Sequence, residues 1–459
     1  MKKGFTLVEL LAVIVILGVI AAITTPIMRG VIENSRRESF LDSVNGIVQA
    51  VELDAADKGF GIYQVYNIDG SSDPQIDPFI QIQGSVSGEG YVSINQDGDI
   101  DVLIEFDEWC AYKPIDTNVV RLYDAPCIQN ADTTLANRPY LHDDMIPIRH
   151  EGSSIFIVDT INSSDEPWYN YADSLWANAV IVDDAHVDLY ANSLPGTEVN
   201  RDHVLLELVW IPRYKYKLNG NLFDIKFESG APLVTNKVDS EGYRIHDAFT
   251  FGRKNLRGFW VSKYQLTGNL NMIESKYGNT NYINDYSANA AFNSIASINT
   301  LDNPYGLSPG IVNTRLQKSS EWAAIAYLAQ SDYGVSTTQI TVGGSTTNNN
   351  SGVYDMVGPI GDFVMSSYNN RAGGSLLFTF PEEKYYDLYE TDNIATACNG
   401  GVCYGHGLSE TDSFYGGIKN FVTGPRPFLV RGVDNIFSYN NSTGAGDVNE
   451  GFKMTISRR

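Results

Sequence analysis

Residues 1–28 read MKKGFTLVELLAVIVILGVIAAITTPIM. Within this stretch, the segment 5–28 has one charge, at Glu9, and it follows two basic residues, Lys2 and Lys3. About 20 consecutive apolar residues are enough for a helix to cross a bilayer, and a basic flank stays in the cytoplasm. A secretory signal has a shorter apolar core and a small-residue cleavage site, and a plain membrane anchor does not explain the carboxylate. The stretch therefore predicts a membrane-inserted helix whose buried carboxylate has a partner.

Residues 3–11 resemble the prepilin cleavage and methylation motif of type IV pilins and pseudopilins. In that family a prepilin peptidase cuts after the glycine, here Gly4, and the new N-terminal residue, here Phe5, is methylated. The resemblance assigns Glu9 to filament assembly, where it pairs with the N-terminal amine of a neighbouring subunit. It implies a prepilin in the cell membrane that assembles with other pilin subunits into an extracellular pilus on the cell surface.

Beyond the membrane segment, apolar residues recur at helical spacing. They are Phe40, Leu41, Val44, Ile47, Val48 and Val51. Pro26 and Gly30 interrupt the first half of the predicted helix, and Gly59 is a stop signal. We predict a leader peptide over residues 1–4 and one long, kinked transmembrane and filament helix over residues 5–58.

The overall composition favours an exported, strand-rich protein. The chain has 459 residues, of which 43% are hydrophobic, so it can form two or three domains with real cores. Tyrosine and phenylalanine are abundant, at 27 and 20 residues, and suit β-structure. The formal net charge of -23 repels phosphate backbones, so we expect no nucleic-acid partner. Excess carboxylates fit a solvated surface and also suit hard cations such as calcium.

Residues 59–200 predict a β-rich head followed by a linker. Two apolar runs, 91–94 and 100–106, flank the polar stretch 95–99, which predicts a hairpin turn at Asp97. The alternating oxygens of this stretch leave a calcium loop open as the alternative, although neither EF-hand register places glycine at the sharp turn. The region resembles the small β-sheet head of pilins from Gram-positive bacteria.

The four cysteines form two sequence-local pairs, Cys110 with Cys127 and Cys398 with Cys403. In an exported chain, two local disulfides are the simplest interpretation. A redox or metal-binding pair at Cys398 and Cys403 is the alternative. The six histidines are scattered and form no HExxH motif for zinc.

From Val204 onward, four short motifs resemble, in their order, the formylglycine-generating-enzyme-like (sulfatase-modifying factor) family. They are the helix 319–329 for its T-E-A-E-W helix, the run 352–358 for its G-L-x-D-M-x-G-N motif, Arg431-Gly432 for its R-G-G and Gly451-Phe452-Lys453 for its G-F-R. Ser319 is the expected cap of that helix. The resemblance implies a C-type-lectin-like module over residues 204–459.

Two departures from that family bear on chemistry. Its copper-binding catalytic cysteines lie after R-G-G, whereas no cysteine follows Arg431 here. The asparagine of its calcium-linked stretch is Pro359 here, and its glutamate falls at Asp362. Asp362 is thus a calcium candidate with one ligand side chain missing, and no other cofactor is expected. Because no other catalytic motif is present, we expect no enzyme.

The loop between Gly432 and Gly451 is rich in tyrosine, asparagine and serine, which make adaptable contacts in recognition loops. The predicted ligand-binding residues are Asp434, Asn435, Tyr439, Asn440 and Asn441. A second polar loop runs through residues 346–350. Solvated turns are the alternative interpretation of both loops.

The predicted fold class is α+β, with a long N-terminal pilin helix, a β-rich pilin head and a C-terminal C-type-lectin-like, formylglycine-generating-enzyme-like domain. The predicted function is that of a type IV pilin-like structural subunit, a minor or tip pilin that displays an adhesion domain for a glycan or host surface. The alternatives are a pseudopilin of a secretion or DNA-uptake system and a surface-anchored enzyme related to formylglycine-generating enzymes.

Overall fold

A computed structural model describes the chain from residue 35 to residue 458 with gaps. The described ranges are 35–58, 64–70, 75–82, 88–94, 100–107, 109–113, 120–124, 139, 141–142, 145–158, 167–191, 193, 195–227, 238–252, 254–300, 303–307, 312–336, 339–374 and 379–458. The chain divides near residue 130 into two compact units, called unit 1 and unit 2 here. Both helices and strands are present, and strands predominate in the body of the protein.

Unit 1 combines one helix with one antiparallel sheet. Helix α1 covers residues 35–58. The strands are β1 (Gln64–Asp69), β2 (Ile76–Asp77), β3 (Glu89–Ile94), β4 (Ile100–Phe106), β5 (Trp109–Lys113) and β6 (Arg121–Asp124). They form a six-stranded sheet in the order β2-β1-β3-β4-β5-β6.

The helical face predicted in α1 is confirmed. Phe40, Val44, Ile47 and Val51 are at most 2% exposed and share one hydrophobic core with side chains of the sheet. Complete burial of side chains this large contributes about 1.5–3 kcal/mol each, so this face holds α1 in unit 1. Of the described helices, none is both long and apolar enough to cross a membrane. The predicted leader and the apolar part of the helix lie outside the described residues.

The strand pair predicted at 91–94 and 100–106 is also confirmed. β3 and β4 pair in antiparallel fashion, with Ile94 opposite Ile100 at the end nearest the turn. Alternating apolar residues of both strands face the helix and complete the core of unit 1. The predicted turn, residues 95–99, lies outside the described residues.

Unit 2 is larger and has three α-helices and twenty strands among its described residues. The helices are α2 (Val187–Ala191), α3 (Ala288–Ala296) and α4 (Ser319–Ala329). The strands are β7 (Met145–Glu151), β8 (Ser154–Ile157), β9 (Asn178–Val182), β10 (Val204–Pro212), β11 (Tyr214–Asn219), β12 (Leu222–Phe227), β13 (Arg244–Ile245), β14 (Thr250–Phe251), β15 (Lys254–Asn255), β16 (Gly258–Ser262), β17 (Thr267–Asn269), β18 (Met272–Glu274), β19 (Val312–Leu316), β20 (Gly361–Val364), β21 (Ser366–Tyr368), β22 (Asp387–Tyr389), β23 (Phe428–Arg431), β24 (Tyr439–Ser442), β25 (Glu450–Phe452) and β26 (Met454–Arg458).

The main sheet of unit 2 corrects the domain boundary predicted at 200–204. Seven strands lie in the order β19-β26-β16-β10-β9-β7-β8. β10 pairs with β9 on one side and with β16 on the other. Strands β7, β8 and β9, which were predicted to belong to the head, therefore extend the same sheet as β10. The reason is that β9 and β10 are both buried along their whole length and need neighbours on both edges.

Helix α4 has the predicted bounds and lies in the core of unit 2. All eleven of its residues are buried, which is typical of a helix that is packed on every side. It shares its core with β10 and β16, which contribute Trp210 and Trp260. Another sheet of the same unit has four strands in the order β24-β23-β20-β25. It carries two of the C-terminal motifs, with Arg431 on β23 and Gly451-Phe452 on β25.

Candidate functional site: a buried histidine network and an exposed tyrosine surface

Segments of three C-terminal motifs meet at Gly432, which follows β23. Its backbone is left-handed, with φ +68°, and a Cβ there would lie 2.4 Å from the carbonyl oxygen of Met356 and 2.9 Å from the Trp322 ring. Only glycine combines a left-handed backbone with the lack of a side chain that this close packing requires. The arginine before it lies opposite Asp362 across β20 and β23. The arginine-glycine pair therefore has a packing role that joins α4 to the run 352–358.

A group of buried and partly buried polar side chains surrounds His406. Its Nδ1 lies 3.3 Å from the hydroxyl oxygen of Tyr389 and 3.9 Å from Oδ2 of Asp387, and its Nε2 lies 3.6 Å from Oδ2 of Asp247. Burial lowers the pKa of His406, but the charges of Asp387 and Asp247 outweigh burial and raise that pKa above its ordinary value. We call these four residues the His406 network.

Two further side chains hold the segment that carries His406. Arg431 is fully buried, and its Nη1 and Nη2 each donate at 2.9 Å, to the carbonyl oxygens of His406 and of the next residue. Glu410 accepts from the backbone N–H of Gly405 at 2.6 Å and from the hydroxyl of Tyr327. Burial raises the pKa of Glu410 and lowers that of Arg431. The segment is therefore fixed from two sides by buried charged groups.

A disulfide joins Cys398 to Cys403, the pair predicted from the sequence. The turn between them is closed by two backbone hydrogen bonds: the Cys398 N–H donates to the Gly401 carbonyl at 2.9 Å, and the Gly401 N–H donates to the Cys398 carbonyl at 2.8 Å. Its two central residues, Asn399 and Gly400, have φ +45° and +72°. An Asn-Gly pair with positive φ at both positions is the preferred two-residue hairpin turn.

The other predicted disulfide is described at one end only. Cys110 on β5 is disulfide-bonded, and its predicted partner, Cys127, lies outside the described residues. The processing residues Gly4 and Phe5 and the assembly residue Glu9 also lie outside them. Their roles stay predictions from the sequence.

Asp362, the calcium candidate, lies on β20 and is 1% exposed. Its Oδ1 accepts from Nε2 of Gln265 at 2.9 Å. Its Oδ2 and the Oε1 of Gln265 are buried and have no hydrogen-bond partner among the described residues. Burial raises the pKa of Asp362 to about 7, against the opposing charge of Lys453. A protonated carboxyl explains this environment without a cation, and calcium at this position stays a prediction.

The predicted ligand-binding loop is largely engaged within the chain. Asn435 and Tyr439 are 2% and 3% exposed. The side chain of Asn435 accepts from the Phe437 N–H at 2.9 Å and donates to a backbone carbonyl. Asn441 donates to the carbonyl of Phe421 at 2.7 Å. These contacts favour a structural role for the three residues, because their polar groups already have partners.

The remaining two candidates of that loop are more accessible. Asp434 is exposed, and its Oδ2 accepts from the Ile418 N–H at 2.8 Å. Asn440 is half-buried and accepts from Nδ2 of Asn420 at 3.0 Å. Both retain surface that a ligand could contact, and their ligand-binding role stays a prediction.

An aromatic surface that was not predicted lies elsewhere on unit 2. Tyr277 is 59% exposed. The Tyr264 ring connects it to Tyr354, with centroid distances of 6.2 Å to Tyr277 and 5.2 Å to Tyr354. The guanidinium of Arg201 lies 5.2 Å from the Tyr277 ring centroid. The hydroxyl of Tyr354 donates to Oδ1 of Asn350 at 3.1 Å. We call these five residues the tyrosine surface.

Buried charged residues support the tyrosine surface from below. Nζ of Lys263 donates to the carbonyls of Asn350 and Gly352 at 2.6 Å and 3.0 Å, and thereby holds the second predicted polar loop. Burial lowers the pKa of this lysine. Glu207 accepts from Arg201 and, at 3.2 Å, from the backbone N–H of Tyr277. The exposed ring thus sits on a rigid base.

The two sites differ in what they can do. The His406 network can hold a proton, and three of its members are buried while the Asp247 side chain is 23% exposed. The two sulfurs of the disulfide and one nitrogen of His406 lie within 4.8 Å of one another. Among the described residues, these three side chains are close enough together to act as metal ligands. The tyrosine surface presents an exposed aromatic ring on a base that Glu207 and Lys263 hold. The expectation that the chain is not an enzyme stays a prediction.

Neither site had a sequence signal of its own. His406 and Tyr277 each obtain their partners from residues far away in the chain, and isolated histidines or tyrosines carry no spacing pattern. A clue existed only for the polar loop 346–350, whose last residue contributes to the tyrosine surface.

Comparison with known proteins bears on the N-terminus. Residues 1–25 match the family model described as the prokaryotic N-terminal methylation motif. No curated protein matches the chain. The motif supports a type IV pilin-like prepilin, and it implies processing by a prepilin peptidase, association with pilin subunits, insertion into the membrane and then display in a surface pilus.

Proposed function

We propose that this protein is a minor or tip subunit of a type IV pilus-like filament and that unit 2 is a C-type-lectin-like adhesion domain for a glycan or host-surface ligand. The N-terminal methylation motif at residues 1–25 carries the filament part of this proposal. A processed pilin helix leaves the membrane only by packing into a filament, where the charge of Glu9 finds a partner. Whatever follows the helix is then displayed outside the cell.

The structure of unit 1 supports a pilin head. The apolar face of α1 is covered by a single antiparallel sheet, with Val44 and Ile47 fully buried between them. A sequence that is amphipathic beyond residue 35 and has a single charge, at Glu9, over residues 5–28 suits two environments, a sheet at one end and lipid or neighbouring helices at the other.

The tyrosine surface supports adhesion by unit 2. The apolar face of a sugar ring packs on an exposed aromatic ring, and its hydroxyl groups need polar partners beside that ring. Tyr277 offers the ring, Arg201 offers a cation beside it, and Asn350 offers an amide beside Tyr354. Because Glu207 and Lys263 hold these residues in place, binding costs little ordering entropy.

Mass spectrometry of the mature protein tests the filament part. We expect a chain that begins at methylated Phe5 in cells that contain a prepilin peptidase. Gly4→Leu should block cleavage and leave the leader attached, whereas Lys2→Arg, which preserves the basic flank, should be processed normally. An intact Met1 on the wild-type chain in such cells would rule the proposal out.

Adhesion is tested with the full chain assembled on cells, probed with a broad glycan array and with host cells. Tyr277→Ala and Asn350→Ala should each lower binding at least tenfold while surface display is unchanged. Tyr286→Ala is the matched control, because Tyr286 is an exposed tyrosine of the same unit outside the tyrosine surface. Equal binding by all three variants would contradict adhesion through this surface.

The pseudopilin alternative shares the N-terminal processing and differs in where the chain ends up. Immunogold labelling of unit 2 on intact cells distinguishes them. We expect label along or at the end of surface fibres, whereas a pseudopilin would be confined to the cell envelope.

A further inference from the structure

We propose that Cys398, Cys403 and His406 form a binding site for a soft divalent cation of the zinc class when their disulfide is reduced. Two Sγ atoms and one imidazole nitrogen lie within 4.8 Å of one another. With bonds of about 2.0–2.3 Å, the ligands of a tetrahedral zinc ion are about 3.4–3.8 Å apart. Thiolate and imidazole are ligands that zinc prefers, and three protein ligands leave one position for water. This inference does not depend on the adhesion proposal.

The backbone places the two cysteines together without help from the bond between their sulfurs. Their turn is closed by the reciprocal hydrogen bonds between Cys398 and Gly401, and its Asn399-Gly400 centre favours that conformation. Breaking the disulfide therefore leaves both sulfurs on the same side of a formed hairpin turn. Only a small separation of the two sulfurs is needed to admit an ion.

His406 is oriented as metal-binding histidines are. Such a histidine usually donates its other ring N–H to a carboxylate or a carbonyl, which fixes the ring and raises its basicity. Here Asp247 lies 3.6 Å from Nε2, and Asp387 lies 3.9 Å from Nδ1. Whichever nitrogen binds the ion, the other one faces a carboxylate. Arg431 fixes the backbone of His406 itself.

The disulfide and the metal-bound form exclude each other. An external dithiol supplies two electrons and two protons: it becomes a disulfide, the bond between Cys398 and Cys403 breaks, and both cysteines become thiols. Binding of the divalent ion then releases the two thiol protons to solvent. Cys398 is partly exposed and gives the reductant and the ion access, whereas Cys403 is 1% exposed. The same loop is thus closed covalently in one state and by an ion in the other.

Cobalt provides a direct test on the full chain in detergent. The protein is reduced with a dithiol, the dithiol is removed without air, and Co²⁺ is titrated while near-ultraviolet absorption is recorded. We expect a single bound Co²⁺ with thiolate-to-cobalt charge-transfer absorption, displaced by Zn²⁺ and absent from oxidised protein. Cys398→Ser and Cys403→Ser should lose most of this absorption. Cys110→Ser, which alters the other disulfide-bonded cysteine, should retain all of it.

Two further variants distinguish the ligand His406 from Asp247, which orients it. Asp247→Asn should weaken Co²⁺ binding about tenfold to hundredfold and keep the charge-transfer absorption, whereas His406→Gln should also change the shape of the visible spectrum. The proposal is overturned if reduced wild-type protein keeps its circular dichroism and shows no charge-transfer absorption. It is equally overturned if reduction alone unfolds the turn, or if the absorption persists in the Cys398→Ser, Cys403→Ser double variant.

Discussion

The carboxylate of Asp387 caps helix α4 at Ser320. Its Oδ2 accepts from the Ser320 backbone N–H at 2.6 Å, and its Oδ1 accepts from the Ser320 hydroxyl at 3.0 Å. Ser319, the cap expected from the sequence, is instead the first helical residue, and Lys318 precedes it. A negative charge at a helix N-terminus is stabilised both by the free N–H groups and by the helix dipole. The cap therefore comes from a strand 67 residues away.

Removing that cap should destabilise unit 2. We expect Asp387→Ala to lower the free energy of unfolding by about 1–3 kcal/mol, because a buried N–H loses its acceptor. Tryptophan fluorescence during urea unfolding measures the effect, since five of the six tryptophans belong to unit 2. The control is Asp392→Ala, at an exposed aspartate. An equal shift in both variants would argue against the cap.

A double-mutant cycle should reveal strong coupling between Arg315 and Glu321. Both side chains are fully buried, and Nε of Arg315 donates to Oε1 of Glu321 at 2.8 Å. Arg315→Met leaves an unpaired buried carboxylate and should cost about 3–5 kcal/mol. Glu321→Met is the other single variant of the cycle. The double variant, Arg315→Met with Glu321→Met, should lose about 2 kcal/mol or more less stability than the two single variants lose in sum. Additive losses in urea unfolding would contradict a buried ion pair.

The stability of unit 2 should depend on pH through Asp362. Because burial raises the pKa of this carboxyl to about 7, the folded state binds a proton that the unfolded state releases at lower pH. Stability from this group is therefore complete below the unfolded pKa and is lost as pH rises through about 7. At about 1.4 kcal/mol for each tenfold change in proton affinity, the loss is on the order of 4 kcal/mol.

Asp362→Asn isolates this contribution. The difference between the wild-type and variant unfolding midpoints should change between pH 4 and pH 8 and be flat on either side. The same pair of proteins tests calcium: added Ca²⁺ should raise the wild-type midpoint and leave the variant unchanged if Asp362 is a ligand. A pH-independent difference would show that this carboxyl is ionised in the folded protein.

Gly432→Ala should be much more damaging than a left-handed backbone alone explains. A left-handed conformation costs a residue with a Cβ about 1–2 kcal/mol, and Gly432 adds a clash with Met356 and Trp322. Gly152→Ala is the control, since Gly152 has a similar φ of +63° and open space around its Cβ position. We expect Gly432→Ala to lose at least about 2 kcal/mol more than the control in urea unfolding. Similar losses would mean that the packing relaxes freely.

Glu9 should matter for assembly and not for processing. Glu9→Gln removes the charge that the pilin resemblance pairs with the N-terminal amine of a neighbour. We expect normal cleavage after Gly4 by mass spectrometry and a loss of surface fibres by electron microscopy. Normal fibres in this variant would contradict that pairing.

Local features were predictable because their patterns are local. The face of α1 that contains Val44 and Val51 follows from the 3.6-residue periodicity, and the pairing of 91–94 with 100–106 follows from two apolar runs on either side of a turn. The bounds of α4 follow from the resemblance of residues 319–329 to a family helix, with Ser319 at its start. The Cys398–Cys403 disulfide was predictable for the same reason, since an Asn-Gly turn brings its two ends together.

Long-range features were not predictable in the same way. The unit boundary near residue 130 depends on which strand pairs with β10, and β9 and β16 both read as buried strands with no mark of their partner. Asn435 and Tyr439 have the composition of a recognition loop, yet both side chains are buried and have partners within the chain: Asn435 donates to the Gly416 carbonyl, and the Tyr439 hydroxyl donates to Asp412. Tyr277 was unremarkable in the sequence and became exposed on a rigid base through Glu207 and Arg201.

The N-terminal motif, the helical face of α1, the strands and the local disulfide were determined by residues close together in the chain, where spacing and steric preference act directly. Only the tertiary structure decided that Asp387 caps α4, that His406 lies between two carboxylates and a disulfide, and that an aromatic surface forms around Tyr277. Each of these brings together side chains that are far apart in sequence, and such contacts depend on how buried strands choose their neighbours rather than on any pattern along the chain.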